Sequence, residues 1–197
     1  MLKRAMIYGL LAKKGHGKDT VADYLSSNYQ FQKHSFASPL KESCKILFNF
    51  SDDQVYGDKK EEIDPNWETS PRKIMQYLGT EIFRKDINNI IPGIEDNFWV
   101  RNVVSKYLNA LENDPETRFV ISDVRFKNEV DAIQKLGGTI IKIERPLESL
   151  DDHESEKDID NIKNYNYLIK NDDTIEELYK KVDNLMKKKS NSNLDLD

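Results

Sequence analysis

The chain has 197 residues, 38% of them hydrophobic and 33% charged, which suits a folded domain with a sizeable core and excludes a disordered chain. Its formal net charge of -5 argues against a nucleic-acid partner, because nucleic-acid-binding domains usually carry a basic excess. With a single cysteine, no stretch long enough to span a membrane and no signal-peptide layout at the N-terminus, we expect a cytoplasmic protein without a membrane partner.

Apolar runs alternate with segments of helical spacing along most of the chain. This pattern predicts a doubly wound α/β domain whose parallel sheet has about five strands. Continuous apolar or β-branched runs predict buried strands at residues 5–11, 34–37, 118–123, 139–143 and 165–169. Helical spacing predicts helices at residues 19–28, 39–50, 71–86, 98–111, 128–136 and 174–186.

The alternation is interrupted between residues 51 and 93, where an acidic loop and a long helix stand in place of a strand. Ser70 and Pro71 mark the start of that helix, since serine is a common N-cap and proline suits the first turn. We therefore predict one domain over residues 1–186, with an inserted helical region at about 51–93. The polar residues 187–197 are predicted to form a disordered tail.

The loop after the first predicted strand has the sequence AKKGHGKDT, residues 12–20, and it opens a helix. In this context, a glycine-rich loop lets successive backbone N–H groups and the helix N-terminus form an anion cradle. We predict that Gly15, His16 and Gly17 bind phosphate through their backbone and that Lys18 reaches the terminal phosphates. An ordinary glycine-rich turn is the alternative interpretation.

Two positions depart from the usual phosphate-loop pattern. Ala12 stands where the first glycine is usual, and Asp19 stands where a serine or threonine is usual. A carboxylate can bind Mg²⁺ directly or through water, so either Asp19 or the hydroxyl of Thr20 is expected to contact the metal.

A second group of charged residues follows the strand predicted at 118–123. Asp123 ends that strand, the position at which a carboxylate of a phosphoryl-transfer enzyme faces Mg²⁺ and the phosphates. Arg125 and Lys127 follow at once and would neutralise negative charge at the transfer centre. Arg145, after the next strand, is expected to cover the donor nucleotide. Helix capping by Asp123 and surface salt bridges for the cations are the alternatives.

The helix predicted at 71–86 carries a stripe of mixed side chains, namely Arg72, Gln76, Gly79 and Phe83. Such a stripe suits a nucleotide, because an amide can contact a base edge, an aromatic ring can stack on the base and a glycine leaves room. Arg84 near the helix end would hold the acceptor phosphate through two hydrogen bonds. A mixed, solvated helix face is the alternative for each residue.

Several motifs occur in a fixed order over about residues 5–185. They are Gly17-Lys18-Asp19-Thr20, RKIMQYLGTEIFR at 72–84, Trp99, DVRFKNE at 123–129 and His153-Glu154-Ser155-Glu156. This ordered set resembles the deoxynucleoside monophosphate kinases of large tailed phages and some large DNA viruses. The resemblance implies a P-loop nucleotide-kinase fold, ATP and Mg²⁺ as donor and cofactor, and deoxynucleoside monophosphates as acceptors.

The resemblance also assigns roles by position. It gives the phosphates and the metal to Lys18, Asp19 and Thr20, the acceptor to Arg72, Gln76 and Arg84, and the transfer centre to Asp123, Arg125 and Lys127. Small kinases of this type often pair, so a homodimer is expected on that ground alone.

Other functions are compatible with parts of the sequence. A Gly-Lys-Asp loop also resembles that of animal-type phosphomevalonate kinases, whereas dephospho-coenzyme A kinases usually carry serine or threonine in place of Asp19. A regulatory module that binds nucleotide without turnover is a further alternative, against which Lys18, Asp123 and Arg125 argue. A polynucleotide 5′-kinase would need a basic strand channel, which the net charge does not favour.

Overall fold

The computed structural model describes residues 5–146 and 159–192, with the backbone alone for 190–192. The chain divides into two compact units. The sheet unit consists of the described residues within Met1–His34 and Tyr107–Asp197, and the helical unit is Ser35–Lys106. The helical unit is wider than the insertion predicted at about 51–93, because it also includes the helix before that region and much of the helix after it.

In the described part of the chain the sheet has five strands, β1 (Met6–Leu11), β2 (Gln32–His34), β3 (Arg118–Val124), β4 (Thr139–Glu144) and β5 (Tyr167–Lys170). Their order is β2-β3-β1-β4-β5, and every pair is parallel. β1 is therefore central, which explains its continuous apolar sequence. The predicted fold class, a parallel sheet flanked by helices, is confirmed.

The β2 strand lies earlier than predicted, at Gln32–His34 instead of residues 34–37. β2 is an edge strand that pairs only with β3, and its residues are polar and partly exposed. An apolar run is a poor marker for such a strand, because only strands buried on both faces need to be apolar throughout.

Three helices of the sheet unit are α1 (Lys18–Tyr29), α6 (Lys127–Lys135) and α7 (Ile175–Ser192). One core cluster joins α1 and α7 to the sheet through Val21, Leu25, Leu178, Ile141 and Ile143. Helix α7 also runs six residues beyond its predicted end at residue 186, into the segment predicted to be disordered. The buried pair Leu185–Met186 anchors this end, and lysines near a helix C-terminus are favoured by its dipole.

Tyrosines connect α1 to α7. The hydroxyls of Tyr24 and Tyr29 both donate to Asp183 Oδ1, over 2.9 Å and 2.6 Å. The rings of Tyr24 and Tyr179 stack with their centroids 4.1 Å apart. These contacts fix the relative position of two helices whose N-termini lie at the site described below.

The helical unit contains short helices: α2 (Ser38–Phe48), α3 (Asp52–Val55), α4 (Pro71–Tyr77), a π-helix (Leu78–Lys85), 3₁₀ turns at Asp58–Lys60 and Asp86–Asn89, and the first part of α5 (Phe98–Asn113). Helices α2, α3 and α4 pack against one another. Their interior includes Leu40, Cys44, Val55 and Met75, all buried. Among the described residues, no helix combines the length and the apolar character that a membrane crossing needs.

The single α-helix predicted at 71–86 is wrong in its second half. Ser70 caps it as expected, accepting from the Lys73 N–H over 3.3 Å, but the α-helix ends at Tyr77 and a π-helix follows. A π-helix has a wider turn, so residues four apart no longer lie on one face. The predicted stripe from Arg72 to Phe83 is therefore not continuous.

Side-chain contacts hold the π-helix in place. Trp99 Nε1 donates to the Gly79 carbonyl over 3.1 Å, and the Phe83 ring packs on Phe98 and Trp99 with centroids 4.8 Å and 5.2 Å away. A Cβ added at Gly79 would lie 2.9 Å from Leu40 Cδ2. Gly79 thus lies close to a side chain of α2, whereas the sequence prediction was that this glycine leaves room for a ligand.

Candidate functional site

The loop between β1 and α1 takes its shape from two glycines. Gly15 has φ of +82° and Gly17 has φ of +94°, a left-handed conformation that favours glycine. Gly17 is the N-cap of α1 and provides no side-chain cap for the helix. The first N–H groups of α1 therefore have no side-chain cap and are suited to bind an anion.

Two buried side chains support this loop. Asn171, which follows β5, donates from Nδ2 to the His16 carbonyl over 3.0 Å. His16 accepts at Nδ1 from the Arg145 N–H over 3.3 Å. Asn171 lies in no sequence motif and was not predicted, and the prediction for His16 concerned its backbone alone.

Lys18 and Asp19 form a charged cluster with Lys33 at the start of α1. Lys18 Nζ lies 2.7 Å from Asp19 Oδ2, and Lys33 Nζ on β2 lies 3.5 Å from Asp19 Oδ1 and 2.8 Å from Asp23 Oδ1. Burial would raise the pKa of Asp19, but the hydrogen bond and charge of Lys18, with the charge of Lys33, outweigh it and lower that pKa below its ordinary value. Asp19 is therefore held as a carboxylate. No pattern in the local sequence predicts that Lys33 lies here, because its position depends on the pairing of β2 in the sheet.

A cavity of about 330 Å³ opens beside the loop, a volume typical of small-molecule sites. Its wall combines glycines, charged groups and an apolar side, and it is lined by Gly15, Gly17, Lys18, Asp19, Thr20, Arg145, Asn171, Asp173, Ile175 and Leu178. The first six of these were predicted to bind the donor or its metal. Of the last four, Asn171 and Asp173 lie in the connection after β5, and Ile175 and Leu178 lie at the start of α7. The parallel sheet places this connection at the same edge as the loop.

The residues predicted for the transfer centre do not line this cavity: Asp123 lies near the end of β3, Arg125 follows that strand and Lys127 begins α6. Asp123 is half-buried, and the pairing of Val124 with Leu11 places it beside the end of β1, just before the loop. Lys127 is exposed and pairs with Asp131 over 2.5 Å, one helical turn later.

A buried carboxylate shapes the turn after Asp123. Glu129 is 1% exposed, and its Oε2 accepts from the N–H groups of Arg125 and Phe126 over 2.9 Å and 3.2 Å. The turn on which Arg125 lies is therefore fixed by Glu129, a residue of the DVRFKNE motif for which no role was predicted.

The predicted acceptor residues belong to the helical unit. Arg72 on α4 is ion-paired with Glu61 through Nε, and Gln76 one turn later is exposed. Phe83 lies in the aromatic cluster with Phe98 and Trp99, and Arg84 Nη1 donates to the Asp96 carbonyl over 3.4 Å. The two arginines are thus held by neighbours on different segments. The motif His153-Glu154-Ser155-Glu156 lies outside the described residues.

The residues present fit a magnesium ion that arrives with a nucleotide. The described part of the chain has no group of three or more His, Cys, Asp or Glu side chains that would hold a metal alone. Mg²⁺ commonly binds through one or two protein ligands, water and substrate phosphates. Asp19 and Thr20, which line the cavity beside the glycine loop, offer the carboxylate and hydroxyl oxygens that this mode uses.

Comparisons with known proteins agree on a family. The family model described as deoxynucleotide monophosphate kinase matches residues 53–182. The chain is 43% identical over 181 residues to a putative deoxynucleotide monophosphate kinase of Acanthamoeba polyphaga mimivirus, covering 90% of this chain and 94% of that protein. It is 24% identical over 241 residues to the deoxynucleotide monophosphate kinase of Enterobacteria phage T4, covering 88% and 95%.

Solved structures show a similar fold. Dephospho-CoA kinase from Campylobacter jejuni matches with a TM-score of 0.52 and 19% identity, over 96% of this chain and 99% of that one. Shikimate kinase from Aquifex aeolicus vf5 matches with a TM-score of 0.51 and 14% identity, over 95% and 98%. At such identities the likeness concerns the fold alone.

Proposed function

The chain belongs to the deoxynucleotide monophosphate kinase family, and we propose that it transfers the γ-phosphoryl group of ATP to a deoxynucleoside monophosphate, giving ADP and a deoxynucleoside diphosphate. The observation that supports ATP as the donor is the geometry of the loop between β1 and α1. It presents left-handed glycines, an uncapped helix N-terminus and Lys18 on the wall of one cavity.

The donor binds in that cavity. The triphosphate lies on the backbone N–H groups of Gly15 and Gly17, where the helix dipole favours negative charge. The His16 N–H, also predicted as a donor, already donates to the Lys13 carbonyl over 3.2 Å and closes the turn of the loop. Arg145 supplies a cation at the cavity wall, and Ile175 supplies an apolar surface for the flat base. Polar and apolar walls of this kind suit a molecule with a charged and an aromatic end.

Mg²⁺, when bound with the nucleotide, neutralises charge on the β- and γ-phosphates. Asp19 or Thr20, together with Asp123, would hold it. Incoming phosphate oxygens compete with Asp19 for the ammonium of Lys18, and Lys33 continues to compensate the charge of Asp19. The charged cluster therefore lets Lys18 turn to the phosphates without leaving a carboxylate unpaired.

Transfer relies on positioning and charge neutralisation. Lys18 and Arg125 stabilise the charge that develops on the γ-phosphoryl group. The acceptor phosphate is largely ionised at neutral pH, its second pKa being about 6, so it attacks without a general base. Lys127 is the further cation proposed for the transfer centre, and like Lys18 it would exchange an ion-pair partner, here Asp131 at the surface, for a phosphate oxygen.

The helical unit supplies the acceptor residues. Arg72 and Arg84 bind the monophosphate, and the exposed Gln76 contacts the base edge. Phe83 supports the π-helix through its aromatic neighbours, so we assign it to shaping this segment. Which bases are accepted depends on these residues together. The single cysteine agrees with action in the cytoplasm.

The test is an assay of ADP release with ATP and Mg²⁺ against dTMP, dGMP, dCMP, dAMP, the ribonucleotides and phosphomevalonate. Turnover with at least one deoxynucleotide, well above the rate without acceptor, supports the proposal and defines the base range. Turnover with phosphomevalonate alone would mean that the acceptor is phosphomevalonate and not a deoxynucleoside monophosphate. ATP binding without turnover on any acceptor would leave a nucleotide-binding module and contradict the proposed reaction.

A further inference from the structure

His16 joins the glycine loop to the end of β4 through its ring. The side chain is buried, at 7% exposure, and Nδ1 accepts from the Arg145 N–H over 3.3 Å. An imidazole nitrogen accepts a hydrogen bond through its lone pair, so Nδ1 is the acceptor in this contact. The ring therefore fixes the backbone of Arg145, whose side chain lines the cavity.

Asn171 joins the same loop to β4 and β5. It is also 7% exposed, its N–H donates to the Glu144 carbonyl over 2.7 Å, and its Nδ2 donates to the His16 carbonyl over 3.0 Å. A Cβ at Gly17 would lie 2.6 Å from Asn171 Nδ2, so the amide needs glycine there to approach. His16 is thus contacted at its ring by the residue after β4, Arg145, and at its carbonyl by the residue after β5, Asn171.

The bond from Asn171 also orients a backbone donor. The peptide unit between His16 and Gly17 is planar and trans, so its carbonyl and its N–H point in opposite directions. Holding the His16 carbonyl at Asn171 therefore directs the Gly17 N–H away from Asn171. Because Gly17 has a left-handed conformation, its N–H in this orientation is one of the backbone donors that form an anion cradle.

We propose that His16 and Asn171 are positioning residues that keep the glycine loop and Arg145 in the geometry that binds the donor nucleotide. The proposal rests on the proposed function, in which ATP is the donor. Both side chains act through backbone groups: the ring through the Arg145 N–H, and the amide through the His16 carbonyl. Their loss weakens donor binding and leaves acceptor binding unchanged.

Two substitutions at His16 separate the hydrogen bond from the packing of the ring. In His16→Asn the amide oxygen is as many bonds from Cα as Nδ1, so it can accept from the Arg145 N–H. In His16→Gln the oxygen is one bond further from Cα, at the position of Nε2, so it cannot accept from the Arg145 N–H. Titration calorimetry with adenylyl imidodiphosphate and Mg²⁺ measures donor affinity without turnover.

We expect His16→Gln to weaken binding of this ATP analogue roughly tenfold, the scale of one hydrogen bond, and His16→Asn to stay within about twofold of wild type. The KM for ATP should follow the same order, and the KM for the deoxynucleotide should not change. Equal affinities in the two variants, or equal changes in both KM values, would overturn the role of Nδ1.

Asn171 has a matched control in the same sheet. Asn166 Oδ1 accepts from the Ile140 N–H over 2.7 Å at the start of β4, and Asn166 does not line the cavity. Asn171→Ala should weaken analogue binding roughly tenfold, whereas Asn166→Ala should bind as wild type does. Thermal midpoints of both variants measure the general cost of losing an asparagine bond. Wild-type affinity in Asn171→Ala, or a matching loss in Asn166→Ala, contradicts the proposal.

The titration contains no acceptor, so its result does not depend on which acceptor is used. If wild-type protein binds the analogue but phosphorylates no deoxynucleotide, the proposed reaction fails and the positioning role is still decided by the variants. If wild-type protein does not bind the analogue at all, ATP is not the donor and both proposals are overturned.

Discussion

The sheet unit and the helical unit build their candidate binding groups in different ways. In the sheet unit, the backbone of Gly15 and Gly17 defines the loop, and buried side chains only support it. In the helical unit, the candidate groups are the ends of long side chains, and Arg72 is paired with Glu61 on another segment. A backbone site depends on a few dihedral angles, whereas a side-chain site depends on every neighbour that orients it. The two should therefore respond differently to substitution.

Lys18→Met should have the largest effect on turnover and little effect on folding. In the proposed function Lys18 is the side chain that reaches the terminal phosphates, and removing one charge-stabilising donor commonly costs roughly 10²- to 10³-fold in turnover. Its partner Asp19 is well exposed, so the lost ion pair contributes little to stability. Steady-state kinetics and a thermal melt measure the two quantities. Lys180→Met, which removes an exposed lysine paired with Glu177, is the control and should retain full activity. A Lys18→Met enzyme that turns over like this control would show that the loop does not hold the donor phosphates.

Gly17→Ala and Gly15→Ala test the backbone origin of the loop directly. Both glycines have left-handed dihedrals, so alanine costs about 1 kcal/mol in strain at either position. A Cβ at Gly15 meets no atom within 4 Å, but at Gly17 it lies 2.6 Å from Asn171 Nδ2. Gly17→Ala should therefore lose more stability in urea and raise the KM for ATP on the order of tenfold, the scale of the hydrogen bond from Asn171 that it would displace. Equal losses in both variants would mean that strain alone, and not the approach of Asn171, sets the loop.

Much of the sheet unit could be predicted because its interior demands a simple pattern. Strands buried on both faces must be apolar, so β3 was predicted at 118–123 and found at Arg118–Val124. The glycine loop was recognisable because its geometry is encoded locally. Lys33 and Asn171 were missed because they reach the loop through parallel pairing of distant strands, which leaves no local pattern.

The helical unit was less predictable for a different reason. The apolar spacing through Ile74, Leu78 and Ile82 is that of an ordinary α-helix, yet the chain forms a π-helix after Tyr77. The wider turn accompanies a bond from the Trp99 ring, some twenty residues away in sequence, to the Gly79 carbonyl. Tertiary contacts of this kind override local spacing, and the predicted acceptor stripe depended on that spacing.

Arg72→Ala should separate the two units kinetically. If Arg72 holds the acceptor phosphate, its loss raises the KM for the deoxynucleotide roughly tenfold and leaves the KM for ATP unchanged. Glu61→Gln should act in the opposite direction and lower the acceptor KM a few-fold, because a neutral amide competes less with the acceptor phosphate for Arg72. Arg101→Ala, an exposed arginine on α5, is the control for a general loss of charge. Parallel changes in both KM values in Arg72→Ala would remove Arg72 from the acceptor site.

Trp99→Phe should have a smaller effect that reports on the π-helix. Phenylalanine keeps an aromatic ring beside Phe83 and Phe98 but cannot donate to the Gly79 carbonyl, and one such bond contributes about 1 kcal/mol. Trp67→Phe removes a similar bond, from Nε1 to the Phe48 carbonyl over 2.9 Å, at a residue that is 44% exposed. Urea unfolding should therefore show a larger loss for Trp99→Phe, together with a modest rise in the acceptor KM. A greater loss for Trp67→Phe would mean that the π-helix does not depend on Trp99.

The reactivity of Cys44 reports on opening of the helical unit, because this residue lies in that unit and is fully buried on α2. Burial raises the pKa of its thiol to about 11, so the folded protein keeps it neutral at pH 8. Iodoacetamide at pH 8 should leave native protein unlabelled and active, and label it only in urea. A pKa raised on folding favours the neutral thiol, so its contribution to stability is complete below the unfolded pKa of about 9 and declines as the pH rises towards 11.

The rate at which Cys44 is labelled also distinguishes the variants described above. Trp99→Phe should speed the labelling of Cys44 if loosening of the π-helix reaches α2 through the Gly79–Leu40 contact, whereas Lys18→Met in the sheet unit should leave the rate unchanged. Rapid labelling of the wild-type protein would show instead that the core of the helical unit opens readily by itself, and that its side chains orient the acceptor groups less firmly than the backbone loop orients the donor groups.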